Sequence, residues 1–123
     1  MTTAVLDTNA LMMPVECDVR VFEELDRLLD APEPVVPAAA VAELERLADG
    51  AGQEATAASV GLDLAERCTV RETEADYADD AVLELAGRLD AHAVTNDGPL
   101  RERLREAGVP VICLRGRNKL AII

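Results

Sequence analysis

Residues 2–13 read TTAVLDTNALMM, and the fold is decided at Asp7. Ala4-Val5-Leu6 is a short apolar run of the kind that forms a core strand, and it ends directly on a carboxylate. A buried carboxylate is costly unless a hydrogen-bonding partner or a cation completes it. A strand that stops at the surface, with Asp7 facing water or capping a turn, explains this segment taken alone. The remaining segments test that reading, because other strands end in the same way.

Short apolar segments alternate with helical patterns along the chain, which predicts an α/β fold around a parallel sheet. Strands are expected at Ala4–Leu6, Val35–Val36, Thr69–Arg71, Ala93–Thr95 and Val109–Leu114, with helices near 18–30, 38–48, 54–67, 79–90 and 98–107. Pro32 and Pro34 punctuate the first helix-to-strand connection, and Asp49-Gly50-Ala51-Gly52 reads as a turn between helices. Gly108 and Pro110 stop the last long helix. That helix is expected to bury Leu100, Leu104 and Ala107. With 123 residues and no repeat, one domain spanning 1–123 is expected.

In open parallel sheets, ligands bind beyond the carboxyl ends of the strands, where the strand order reverses. Asp7 follows the first strand directly, and Asp97 follows Ala93–Thr95 in AVTNDGPL (93–100). In ADDAVLELA (78–86), Val82, Leu85, Ala86 and Leu89 define a buried stripe at helical spacing. At about 100° per residue, Asp79 falls in register with Val82 and Ala86 and turns inward, while Asp80 points away. In PAAAVAELERL (37–47), the apolar face centres on Ala40, Val41, Leu44 and Leu47. Glu43 and Glu45 flank that face equally, so periodicity does not choose between them. Converging carboxylates raise one another's pKa unless a cation sits among them. Oxygen ligands without histidine or thiolate point to Mg2+ or Mn2+ rather than zinc. His92, the only histidine, precedes its strand at the end opposite Asp97 and is not expected to be a ligand.

The net charge of −12 argues against nucleic-acid binding until its distribution is considered. Residues 1–97 carry 22 acidic and 6 basic side chains, whereas residues 98–123 carry 2 acidic and 6 basic ones. Arg101, Arg105, Arg115, Arg117 and Lys119 therefore form a basic end on an acidic body. Lys119 is the only lysine beside eleven arginines, and excess carboxylate with scarce lysine suggests a halophilic cytoplasm. Three widely spaced cysteines, Cys17, Cys68 and Cys113, read as reduced thiols rather than a disulfide framework. Neither a membrane span nor a signal peptide is evident, so a cytoplasmic location away from membranes is expected.

Four segments together resemble the PIN-domain family of metal-dependent ribonucleases over nearly the whole chain. VLDTNALM (5–12) resembles the first motif, and VVPAAAVAELERLA (35–48) the second, whose glutamate falls on Glu43. ADDAVLELA resembles the third motif, with Asp79, Val82 and Ala86, and AVTNDGPLRERL (93–104) the fourth, with Thr95 and Asp97. The tail VPVICLRGRNKL (109–120) resembles the closing strand and basic end of archaeal members near ribosomal-RNA processing nucleases. Each motif alone is weak, and four in order form a specific signal. The resemblance implies a Rossmann-like PIN fold, with a central parallel sheet of about four or five strands flanked by helices.

It also implies a Mg2+- or Mn2+-dependent endoribonuclease acting in rRNA or other RNA processing. Asp7, Glu43, Asp79 and Asp97 would be catalytic and hold metal, and cleavage would leave a 5′-phosphate and a 3′-hydroxyl. Asn9 is expected to fix the Asp7 carboxylate or a water by hydrogen bond, Thr95 to do likewise for Asp97, and Asp80 to stand behind the metal ligands. Thr8 and Asn96 read equally well as turn residues. With Tyr77 and Phe22 the only aromatics, base stacking is expected to contribute little. A toxin ribonuclease of a toxin–antitoxin pair and a non-catalytic RNA- or protein-binding module are the alternatives. A phosphatase using Asp7 as nucleophile fits less well, because Asn9 stands where such enzymes carry a second aspartate. The expected partners are RNA, an antitoxin or ribosome-assembly protein, and a second copy of the chain. Apolar residues within Leu11–Val15 or Phe22–Leu25 would supply the homodimer interface.

Overall fold

The computed structural model describes residues 2–123. Its elements in chain order are β1 (Thr2–Leu6), α1 (Thr8–Glu16), α2 (Val21–Leu28), β2 (Pro32–Pro37), α3 (Ala38–Ala48), α4 (Gly52–Ala65), β3 (Thr69–Arg71), α5 (Ala78–Leu89), β4 (His92–Val94), α6 (Gly98–Glu106), β5 (Val111–Arg115) and β6 (Lys119–Ile122). The strands form one sheet in the order β3-β2-β1-β4-β5-β6, with β1 to β5 parallel and β6 antiparallel to β5. The chain moves outward from β1 to β3 and then returns to the other side of β1 for β4. The strand order thus reverses between β1 and β4, where open α/β sheets form their ligand crevice.

Side-chain alternation along the strands builds a core on each face of the sheet. Ala4, Leu6, Val36, Val94 and Ile112 pack against residues of α1, α2, α3 and α4. Val5, Val35, Ala93 and Val111 face the opposite way, onto Val82, Leu85, Ala86, Leu100 and Leu104 of α5 and α6. Burying a leucine in such a core stabilises by about 2 kcal/mol. At Gly61 of α4, an added Cβ would stand 3.0 Å from the Leu11 carbonyl oxygen and 3.1 Å from Leu44 Cδ2. The absent side chain lets α4 lie close to α1 and α3.

Several expectations need correction. The sheet has six strands rather than four or five, because the basic tail turns back as β6. Residues 8–16 form helix α1, which the polar triplet after the strand and the interior Pro14 had hidden. Leu11, Met12, Met13 and Leu25 lie buried in the chain's own core, and Val15 and Phe22 are half-buried against it. These residues do not form the exposed apolar interface expected for a homodimer. Ala107 is exposed, and Val109 fills the core beyond α6 instead. Among the described residues, no helix is long and apolar enough to cross a membrane. The three cysteines are free, and burial pushes the Cys68 thiol up to about 11.

Candidate metal centre

Asp7 sits where β1 becomes α1, and both of its carboxylate oxygens are held. The amide of Ala10 donates to Oδ1 at 2.6 Å, so Asp7 is the N-cap of α1. The hydroxyl of Thr95 donates to Oδ2, reaching across from the end of β4. Asp7 is only 3 % exposed. Burial pushes its carboxyl up to about 7, with Asp79 and Asp97 adding repulsion, while the bonds from Thr95 and Ala10 pull the other way. This site favours a proton or a cation over a bare anion.

Asp97 performs the same local task on the neighbouring strand. It caps α6, its Oδ2 accepting from the Leu100 amide at 3.2 Å. Thr95 links the two acids: its hydroxyl donates to Asp7 and accepts from the Asp97 amide at 3.0 Å. Asp79 comes from the first turn of α5 and Glu43 from the second turn of α3. Partial burial, then repulsion from Asp97 and Glu43, raises the Asp79 pKa. Electrostatically, the four acids already interact.

Asp7, Glu43, Asp79 and Asp97 line one open cleft of about 370 Å3, together with Thr8, Asn9, Met12, Glu16, Leu47 and Glu54. The structure therefore brings the four expected acids together at the reversal of strand order. Glu45 is exposed and lies outside the cleft lining. Asp80 is outside this cleft's lining and pairs with Arg103, 2.7 Å from its Nη2. Asp79 is exposed at the cleft rather than turned inward with the buried stripe of α5, and Asp80 is the less exposed of the two. Asn9 lines the cleft but makes no hydrogen bond to Asp7, whose oxygens accept from Ala10 and Thr95. Thr95 grips Asp7 as well as Asp97, and Asn96 is more than a turn residue, its Oδ1 accepting from the Leu114 amide at 3.0 Å. His92 opens β4 at the far end of the strand from Asp97.

The expected basic residues divide between α6, with Arg101 and Arg105, and the β5–β6 hairpin, with Arg115, Arg117 and Lys119. Val94 pairs with Ile112, so β5 carries Arg115 to the carboxylate edge of the sheet, and the turn to β6 carries Arg117. Arg101, Arg115 and Arg117 make no ion pair among the described residues, whereas Arg105 lies 4.0 Å from Glu102 and Lys119 3.9 Å from Glu24. Arg103, Glu16 and Glu54 were missed, because nothing in helical periodicity marks which polar residues face a cleft formed by other elements.

Among the described residues, no three acidic, histidine or cysteine side chains converge tightly enough to cage an ion by themselves. The donor set nevertheless suits a hard divalent ion that retains several waters, as Mg2+ does. The buried Thr8 hydroxyl beside Asp7 has no hydrogen-bond partner among the described residues. Such an orphan is expensive, and a coordinated water or a substrate oxygen would satisfy it.

Comparison with known proteins agrees with this architecture. A family model described as a PIN like domain matches residues 4–117. Ribonuclease VapC4 of Methanocaldococcus jannaschii is 32% identical over 121 residues, covering 94% of this chain and 92% of its own length. Ribonuclease VapC9 of Archaeoglobus fulgidus is 33% identical over 120 residues, covering 97% of this chain and 87% of its own. Among solved structures, the PIN domain endonuclease Utp24 superposes with a TM-score of 0.79 at 25% identity, covering 98% of this chain and 90% of that one. A VapBC-1 structure from nontypeable Haemophilus influenzae shares the fold, with a TM-score of 0.61 at 18% identity over 85% of this chain and 94% of that one. PIN-domain nucleases depend in general on a divalent metal.

Proposed function

The chain belongs to the PIN-like domain family, and from that premise we propose that it is a Mg2+- or Mn2+-dependent endoribonuclease. The observation that carries this reading is the meeting of Asp7, Glu43, Asp79 and Asp97, from four separate segments, in one cleft at the switch point of the sheet. These four side chains would hold the ion, partly through water. The ion would activate a water for in-line attack on a phosphodiester and offset charge on the leaving oxygen. Thr95 fixes the orientation of Asp7 and ties it to the Asp97 backbone, so neither acid need reorganise when the site fills. Water attack on phosphorus with departure of the ribose 3′-oxygen leaves a 5′-phosphate and a 3′-hydroxyl. Arg101, Arg115 and Arg117 would draw the RNA backbone toward an otherwise repellent acidic surface.

The biological setting we infer is rRNA or other RNA processing, supported by the coverage and superposition on the Utp24 endonuclease and by the basic β5–β6 turn. Identity with two archaeal VapC ribonucleases favours a second reading, a toxin ribonuclease held by an antitoxin. Growth arrest on expression, relieved by a co-expressed partner, distinguishes the second from the first. A ribosome-assembly partner belongs to the first reading. The chemistry itself is tested by incubating a labelled structured RNA with Mn2+ or Mg2+ at several KCl concentrations. Wild type should cleave only with metal. Asp7→Asn and Asp97→Asn should each lose more than the roughly 10–100-fold typical of residues that only support a metal ligand. Cleavage that survives both substitutions would refute the assigned centre.

A further inference from the structure

Beside the carboxylate cleft lies a second concavity of about 290 Å3, lined by Glu43, Tyr77, Ala78, Asp79, Asp80 and Arg103. The two share Glu43 and Asp79, so they are continuous around the rim of the site. Tyr77 is the chain's only tyrosine, and it is 78% exposed, more than any other large apolar side chain among the described residues. A single exposed aromatic is ordinary on a protein surface. This one is distinguished by how firmly its backbone is held and by what it adjoins.

The segment that presents Tyr77 is fastened to α5 from several directions. Glu84 accepts from the Glu74 and Ala75 amides, each at 3.0 Å, and Arg88 Nη2 donates to the Glu72 carbonyl at 2.9 Å. The Thr73 hydroxyl donates to the Ala75 carbonyl at 2.8 Å, and the Tyr77 carbonyl accepts from the Ala81 amide at 2.9 Å as α5 begins. The base of the ring is therefore fixed while its face stays in water. Only two residues of chain, at most about 7 Å, separate Tyr77 from Asp79. Opposite stands Arg103, half-exposed and steadied by Asp80, with guanidinium donors left over after that single bond.

We propose that Tyr77 is a stacking platform for one unpaired nucleobase of the substrate, at or next to the nucleotide whose phosphate occupies the carboxylate cleft, with Arg103 steadying the neighbouring phosphate. This rests on the ribonuclease reading and adds a preference to it: a base locked in a duplex cannot reach the ring, so cleavage is directed to loops, bulges and single strands. Contrary to the expectation from composition, stacking contributes to recognition, through one well-placed ring.

The chain has no tryptophan, so its tyrosine emission reports on Tyr77 alone. Titration with a short single-stranded oligoribonucleotide, with Ca2+ holding the phosphate in place of Mn2+, should quench that emission. In Mn2+, Tyr77→Ala should lower kcat/KM on the same RNA by about tenfold or more, chiefly through KM, while Tyr77→Phe stays within about twofold of wild type. Emission unchanged by the oligonucleotide, Tyr77→Ala equal to wild type, or Phe as damaging as Ala would each overturn the platform. A wild type that cleaves no RNA defeats the nuclease reading instead, and the emission titration still decides the stack.

Discussion

Asp7 concentrates the chemistry of the molecule in one side chain. Its folded pKa, near 7, lies above the ordinary 3.8 because burial disfavours the anion more than Thr95 and Ala10 stabilise it. The folded state therefore holds this proton more tightly than the unfolded chain does. The contribution to stability is complete below about pH 3.8, falls as pH rises and is lost above about pH 7. Asp7→Asn keeps an oxygen for the cap and carries no charge. In metal-free buffer, the variant should gain on wild type as pH rises from 4 to 7. The gap should reach about 2–4 kcal/mol, each pKa unit being worth about 1.4 kcal/mol. Urea denaturation of both proteins across that range measures it, and a gap independent of pH would show that Asp7 is not strained. The sequence reveals Asp7 because a charge directly follows an apolar strand. It does not reveal that Thr95 rather than Asn9 holds the carboxylate, since that bond joins residues 88 positions apart.

At the level of elements, the edge of the sheet is secured by an acid the sequence does not single out. Glu24 of α2 is buried and accepts from both Arg27 and the Leu120 amide, while Arg27 also donates to the Leu120 carbonyl at 2.7 Å. Those bonds, the one from Arg27 foremost, hold the Glu24 carboxyl down at about 2. A depressed folded pKa stabilises above the unfolded value of 4.5, and that contribution is lost as pH falls toward 2. Glu24→Gln should therefore cost about 1.5–3 kcal/mol at pH 7, the range for hydrogen bonds to a charged group. The difference from wild type should shrink in thermal melts as pH drops from 4.5 toward 2. An undiminished difference at low pH would assign the effect to packing. β6 pairs with β5 across a short turn, Leu114 opposite Leu120 and Arg115 opposite Lys119, and it escaped the sequence reading because the polar stretch Arg115–Lys119 read as a basic end rather than as a hairpin turn.

Across the whole molecule, the topology turns four weak local signals into one site. Strand order places the ends of β1 and β4 side by side, and the helices α3 and α5 bring Glu43 and Asp79 over the same edge. The α/β class and the acids at the strand ends were legible because apolar runs and the charges that end them are local properties, whereas helical periodicity turned Asp79 inward and the fold leaves it exposed at the cleft. Periodicity could not separate Glu43 from Glu45, a choice made by the packing of α3 against elements distant in sequence. Nor could composition show that Tyr77 stands at the rim of the cleft, since exposure beside a site is a property of the assembled fold. An acidic protein of net charge −12 places Asp7, Asp79 and Asp97 where they repel, and a divalent cation bound among them, as proposed, would make that arrangement favourable. Calorimetric titration of the metal-free protein with Mn2+ tests this most directly. Wild type should bind with an affinity that Asp7→Asn, Glu43→Gln, Asp79→Asn and Asp97→Asn each weaken by about tenfold or more. Absence of binding to wild type, or variants that bind as wild type does, would contradict a shared cation site.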